Sequence, residues 1–313
     1  MTRHLLDLAE CSRDDLVAML TGSLPASSRE LVDKSVAMVF EKPSARTRNS
    51  TEMATVDLGG HPVMITSAEV GIGVRESAED VARTLGSFHR VVAARVFDHQ
   101  TLVKMRAVLD DGGWDVSVVN LLSDRSHPCQ ALADVLTILD EFGGGADLSA
   151  IAGRRICYVG DANNVTLSLA QAALQLGIDV SIAAPTAYQL SAEQVRDLAA
   201  LAAPGSVLVQ TEDPAEAAAG ADVLYTDVWT SMGQEAEQEQ RRRDLQGYSI
   251  DRSLLELAGS DAIVLHCLPA HRGEEITAEV VEGPSSRVWR QVAHRRTAMR
   301  GILRWLVAGG GSP

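Results

Sequence analysis

Apolar runs of strand length alternate with longer helix-patterned segments along almost the whole chain, which restricts it to parallel sheet wrapped by helices. SVAMVF (35–40) leads through a polar turn into the helix-like TRNSTEMATVDLGG, which closes on a glycine pair. HPVMIT, RVVAARVF and VSVVNLL read as further strands, and SAEDVARTLGSF and HQTLVKMRAVL have the period of covering helices. HPCQALADVLTILDEF reads as one long helix running into GGGADLSAIAG, the best candidate boundary in the chain. Beyond it the alternation restarts with RRICYVGD, DVSIAAP, SVLVQ, DVLYTDVW and AIVLHCLPA. The expectation is an α/β protein of two doubly wound parallel-sheet domains, with an active site in the cleft between them.

Composition narrows the function classes. At 313 residues, 46% hydrophobic and 22% charged, the chain can bury a large core and has length for about two domains. No stretch approaches the ~20 unbroken apolar residues of a membrane span. The charged N-terminus, MTRHLLDLAECSRDD, has no small-residue cleavage site, which argues against a secretory signal. Cys11, Cys129, Cys157 and Cys267 are scattered without a CxxC pair, which fits a reducing cytoplasm rather than a zinc or disulfide framework. With 42 acidic against 28 basic side chains, a formal net charge of -14, the overall field repels nucleic acid. Any anion must be drawn in by local charge.

The unusual polar residues gather at strand ends, where an open α/β sheet places its ligands. EKPSARTR (41–48), Arg95 and SDRSHPCQ follow strands of the first half; GDANN, DVWTSMG and HCLPAHRGEE follow strands of the second. Two segments carry less. The polar insertion GQEAEQEQRRRDLQGYS (233–249) reads equally as a solvated loop or a mobile loop covering a substrate. GIGVRE (71–76) starts like a dinucleotide fingerprint but ends in Glu, and VGDANN (159–164) lacks the three glycines, so a nicotinamide enzyme fits poorly.

Each cluster has chemistry of its own. Ser44 is placed to cap a helix whose first amides form an anion site, to which Arg46 adds a planar fork and Thr47 a hydroxyl. The alternative is a solvated turn. Arg48 is expected to brace the loop. Arg95, inside an apolar strand, requires an anion or an internal carboxylate nearby. His127 and Gln130 lie three apart at a helix start and share a face, which suits a hydrogen bond to a carbonyl oxygen. Asp227 offers a carboxylate to a substrate ammonium, and Asn163 and Asn164 offer mixed donors and acceptors to an amino-acid head group. Cys267, between His266 and the turn LPA, reads either as an ordinary buried cysteine or as a functional one.

Taken together the clusters resemble the aspartate/ornithine carbamoyltransferase family over nearly the whole length, nearest its ornithine-type members. EKPSARTR is similar to the family's Ser-Thr-Arg-Thr-Arg motif, HPCQALAD to His-Pro-Cys-Gln, HCLPAHRGEE to the ornithine-type His-Cys-Leu-Pro signature, and DVWTSMGQE to the Ser-Met-Gly loop. The resemblance implies carbamoyl transfer from carbamoyl phosphate to the δ-amine of L-ornithine, giving citrulline and phosphate in arginine biosynthesis, with no metal or organic cofactor. It implies a carbamoyl-phosphate-binding domain over 1–140 completed by a C-terminal helix 290–313, and an ornithine-binding domain over 150–289. Ser44, Ala45, Arg46, Thr47, Arg95, His127, Gln130, Cys267, Leu268 and Arg295 would hold carbamoyl phosphate, Cys267 and the Leu268 backbone also standing beside the reacting amine. Asn163, Asp227, Ser231 and Met232 would hold ornithine. Arg46, His127, Cys267 and Arg295 would carry the catalysis. Family membership further implies a homotrimer with sites at subunit interfaces.

The chain departs from the family pattern at Ala45, where Thr is usual, and at Gly71, where a glutamine is common; Arg75 is the nearby charge that would compensate. RNSTE (48–52) also lacks the family's aromatic before the glutamate. These departures keep open a transcarbamylase for a related amine or amino acid, and a catalytically weak paralogue that binds the ligands as a sensor.

Overall fold

The computed structural model describes residues 2–23, 29–230 and 235–308. Two sheets form, and every strand pair within them is parallel. The first holds β1 (Ser35–Phe40), β2 (His61–Thr66), β3 (Val91–Arg95) and β4 (Ser117–Leu122) in the order β2-β1-β3-β4. The second holds β5 (Arg155–Val159), β6 (Asp179–Ala183), β7 (Leu208–Thr211), β8 (Val223–Thr226) and β9 (Ile263–His266) in the order β7-β6-β5-β8-β9. Strand order reverses between β1 and β3 in one sheet and between β5 and β8 in the other. These are the points where diverging crossovers leave a crevice beyond the strand ends.

The chain forms two compact units, Met1–Ala133 with Ala293–Pro313, and Asp134–Val292. The first change of unit falls inside the helix Pro128–Gly143, and the glycine-rich stretch lies wholly in the second unit. Among the described residues no helix is long and apolar enough to cross a membrane.

In the first unit, Ala37, Val39, Val92 and Ala94 on one face of the sheet pack with Val81, Leu85, Leu102 and Met105 from the helices Ala78–Gly86 and His99–Asp111. Alternate residues of β1 and β3 serve this core, and Val36, Met38, Val91 and Ala93 are equally buried, so both sheet faces are covered. The outer edge of β4 is closed by the N-terminal segment: Leu5 N–H donates to the Val118 carbonyl at 2.9 Å and Asn120 N–H to the Leu5 carbonyl at 2.7 Å. In the second unit the outer edge of β9 is closed in the same way, with Val264 N–H on the Ser285 carbonyl and Arg287 N–H on the Val264 carbonyl, both at 2.9 Å. Covering these edges removes templates for aggregation.

The last helix, Val288–Ala308, is anchored to the first unit from Ala293 onward. Arg296 grips Asp57 at the end of the helix Ala45–Asp57 through two guanidinium nitrogens, Nε and Nη2. Gly301 lets the backbone of the helix Arg13–Thr21 come close: a Cβ at Gly301 would sit 1.9 Å from the Met19 carbonyl oxygen. Alanine is better than glycine in a helix by about 1 kcal/mol, whereas forcing extra volume into a packed contact costs about 1–3 kcal/mol. The backbone contact should win. Gly301→Ala is therefore expected to lower Tm by several degrees in a thermal melt, and an unchanged or raised Tm would refute the close approach.

Candidate functional site

In the first unit, the turn after β1 delivers the chain into the helix Ala45–Asp57. Ser44 is its N-cap: the hydroxyl oxygen accepts from Thr47 N–H at 3.3 Å and the hydroxyl donates to Thr47 Oγ1 at 3.1 Å. A helix start with its first amides directed outward is an anion site before any charge is added. Ala45 is the exposed first residue of the helix and brings only its backbone N–H to it. Arg48 pairs with Glu52 one turn along the same helix, at 2.8 Å, so it braces the helix rather than the loop.

Arg95 closes β3, next to β1, and is buried. Pairing of β3 with β4 slips by one residue between Ala94 and Arg95, an irregularity of the kind that re-aims a side chain at a strand end. From the last helix, Arg295 donates to Gln130 Oε1 and, at 3.2 Å, to Thr47 Oγ1. Gln130 and His127 are buried at the start of the long helix. The turn that presents them is held from behind by Asn120, whose amide donates to the carbonyls of Leu6 and Ser126 and to Ser123 Oγ. Cys129 of the same motif faces inward: its thiol donates to the Asn120 carbonyl and burial pushes its pKa up to about 12.

Burial, then the guanidinium groups of Arg295, Arg95 and Arg46, hold the His127 imidazole well below its ordinary pKa. At neutral pH this ring is uncharged. It is thus a neutral hydrogen-bonding group inside a field of three fixed cations. That field is local, set in a chain of formal net charge -14.

The second unit gathers its polar groups at the ends of β5, β8 and β9. Asn163 caps the helix Asn164–Gln175, its Oδ1 accepting from Val165 and Thr166 N–H at 2.8 and 3.3 Å. Its Nδ2 donates to Asp227 Oδ2 at 3.1 Å. The other Asp227 oxygen accepts from the Cys267 thiol at 2.9 Å and from Val228 N–H at 2.8 Å. Amide, carboxylate and thiol are therefore one connected group, and Cys267 is only 9% exposed. Leu268 takes a left-handed conformation, φ 61, ahead of a cis Pro269. Its N–H is turned inward onto His266 Nδ1 at 2.8 Å. Ser231 and Met232 lie outside the described residues.

Asp227, His266 and Cys267 bring potential metal-ligand atoms within 4.8 Å of one another. Both ring nitrogens of His266 are already used, Nδ1 by Leu268 N–H and Nε2 by Glu275 Oε1 at 3.0 Å. The thiol is spent on Asp227. The arrangement is a closed set of mutually hydrogen-bonded polar groups rather than a cation site.

Several participants escape a reading of the sequence. Arg241, in the run RRR, is buried; it donates to Asp161 at 2.8 Å and to the Trp229 carbonyl at 3.2 Å, while Arg242 and Arg243 are exposed. Leu245, buried four residues later on the same helical face, is the signal that could have marked it. Glu275 is fully buried although it closes a run of charges, RGEEI (272–276) being a solvated pattern on its face. Gly71 has φ 56, and a Cβ there would lie 2.9 Å from Arg75 Cβ, so this turn suits glycine and not the glutamine common in the family.

The class follows from comparison with known proteins. Residues 3–140 match the model of the aspartate/ornithine carbamoyltransferase carbamoyl-P binding domain, and residues 152–306 that of the Asp/Orn binding domain of the same family. The chain belongs to the aspartate/ornithine carbamoyltransferase family. Its relatives narrow the likeness further. It is 46% identical over 279 residues to an ornithine carbamoyltransferase of Acidothermus cellulolyticus, covering 89% of this chain and 86% of that one. It is 42% identical to one of Methanoculleus marisnigri, covering 98% and 96%. The solved ornithine carbamoyltransferase of Pyrococcus furiosus superposes with a TM-score of 0.89 at 37% identity, covering 99% and 98%.

The depressed imidazoles give a stability signature. His4, His89, His99 and His127 are all lowered chiefly by burial. Each binds a proton more readily unfolded than folded, so stability falls as pH drops through the unfolded value of about 6.5. Asp161, raised by burial, works in the opposite sense as one group against four. Tm is expected to fall between pH 7 and pH 5; a flat or rising Tm across that interval would contradict the assignment.

Proposed function

We propose that the chain transfers the carbamoyl group of carbamoyl phosphate to the δ-amino group of L-ornithine, giving L-citrulline and phosphate. The observation that carries this reading is His127, uncharged among Arg46, Arg95 and Arg295, with Gln130 and Thr47 tied to Arg295. Such a set of fixed cations and neutral donors fits a phosphate dianion attached to a carbonyl. Carbamoyl-phosphate binding is assigned to residues 1–140 with 290–313, and ornithine binding to 150–289, in keeping with the two family domains matched.

The phosphate then rests on the helix start at Ser44, Ala45, Arg46 and Thr47, and on Arg95. His127, Gln130 and Arg295 take the carbamoyl end. Asn163 and Asp227, with Ser231 and Met232, take the α-groups of ornithine, and Cys267 and the Leu268 backbone stand by its δ-amine. The uncharged amine attacks the carbamoyl carbon, a C–N bond forms, and the carbonyl electrons move to oxygen. His127, Arg46 and Arg295 stabilise that oxyanion; fixed donors of this kind are worth about 2.7–4 kcal/mol each when removed. Collapse breaks the C–O bond to phosphate, which leaves with the electron pair, and the proton shed by the amine departs with it. The balance is complete without a further reagent. Holding two small substrates in register adds to this, an effect that can reach roughly 7–11 kcal/mol.

The same reading makes the protein a cytoplasmic homotrimer. Four free thiols, all buried, fit a reducing compartment. Val74 and Phe88, 95% and 74% exposed, fit surfaces that a second copy covers. Sedimentation equilibrium should return three times the chain mass; a monomer at micromolar concentration would remove this part of the proposal.

Steady-state citrulline formation tests the chemistry. Ornithine should be used in preference to putrescine, N-acetylornithine and aspartate. Turnover with none of them, alongside tight binding of carbamoyl phosphate, would leave only a ligand-binding role. In the same assay Cys267→Ala should raise the ornithine KM far more than it weakens carbamoyl phosphate; equal damage to both would make Cys267 structural.

A further inference from the structure

β9 ends at His266, and the next residues form the turn that carries Cys267 and Leu268. Along the outer edge of β9 the 285–287 segment supplies backbone partners as far as Val264. The next N–H on that edge, two residues on, belongs to His266. By then the covering chain has turned into the helix Val288–Ala308 and offers no carbonyl. A side chain takes over: His266 N–H donates to Gln291 Oε1 at 2.9 Å.

A primary amide can present either end. Here its orientation is set by Asp134, a fully buried carboxylate of the long helix, whose Oδ1 accepts from Gln291 Nε2 at 2.6 Å. Tyr225 of β8 completes the group: its hydroxyl donates to Asp134 Oδ2 at 3.1 Å and accepts from Gln291 Nε2 at 3.2 Å. With a carboxylate on one side, the nitrogen must face Asp134 and the oxygen must face His266. Gln291, Tyr225 and His266 are each 1% exposed or less.

We infer that Gln291, oriented by Asp134, is a positioning residue for the Cys267–Leu268 turn and so for the amine of the bound amino acid. Three things make the turn dependent on it. β9 is an edge strand with only β8 beside it in the sheet. Leu268 holds a left-handed conformation unfavourable to a branched side chain, so the surroundings must impose it. The imidazole that accepts Leu268 N–H belongs to the very residue whose backbone Gln291 grips. Gln291 acts on the turn through the backbone of His266, whose N–H it holds.

The functional part of this inference rests on the proposed ornithine chemistry, so its test carries a readout independent of turnover. In Gln291→Met, hydrogen exchange at the His266 and Leu268 amides should speed by about tenfold or more, as loss of a buried bond implies, with β5 and β6 unchanged. The ornithine KM should rise by about tenfold, while inorganic phosphate binds within about twofold of the parent. Gln291→Glu sets two carboxylates together and should do at least as much damage. Adding Asp134→Asn restores a donor facing an acceptor, and the double variant should return to within about threefold of the parent in both readouts. Unchanged exchange in Gln291→Met, a KM that stays put while exchange rises, equal losses for ornithine and phosphate, or no rescue in the double variant would each overturn the inference. A parent enzyme that makes no citrulline would sink the functional reading instead, and the exchange experiment would still decide the structural one.

Discussion

In a sheet whose strands all run the same way, every crossover leaves from one edge, and the side chains at that edge have no strand beyond them to pack against. Both sheets of this chain obey that constraint. At the switch point of the first, β1 delivers Ser44 and Arg46, and β3 delivers Arg95. At the switch point of the second, β5 delivers Asn163 and β8 delivers Asp227. Polar residues that would be costly in mid-sheet collect where the topology leaves them a crevice.

The two collections are chemically opposite. One is cationic and holds a histidine kept uncharged first by burial and then by its arginine neighbours. The other is built on a carboxylate that accepts an amide on one oxygen, and a thiol and a backbone N–H on the other. A chain of formal net charge -14 gains selectivity from this contrast, because its general field gives an anion no reason to linger elsewhere.

Much of this was legible in the sequence because it rests on local rules. The serine cap at Ser44 follows from a hydroxyl before a helical pattern, and Arg46 from its place behind it. The strands announce themselves as short apolar runs, and the family resemblance carries the assignment of roles to Arg295 and Asp227. What the sequence hides is side-chain traffic over long separations. Gln291 looks like any polar residue on a helix face until the edge of β9 is seen to lack its next carbonyl. Arg241 looks solvated beside two arginines that are. Glu275 is concealed by the charged residues just before it, although it fixes which nitrogen of His266 keeps its proton. Arg48, expected to brace the loop, pairs instead with Glu52 along its own helix.

Gly301 has a consequence beyond its own contact. It stands six residues, about 9 Å along the helix axis, from Arg295. With its Cα pressed against the Met19 carbonyl, the last helix has no freedom to slide lengthwise, and Arg296 on Asp57 stops it from rolling. The guanidinium of Arg295 is therefore located by a ruler whose zero mark is a bare patch of backbone. A missing methyl group, remote from the chemistry, sets how far the arginine reaches.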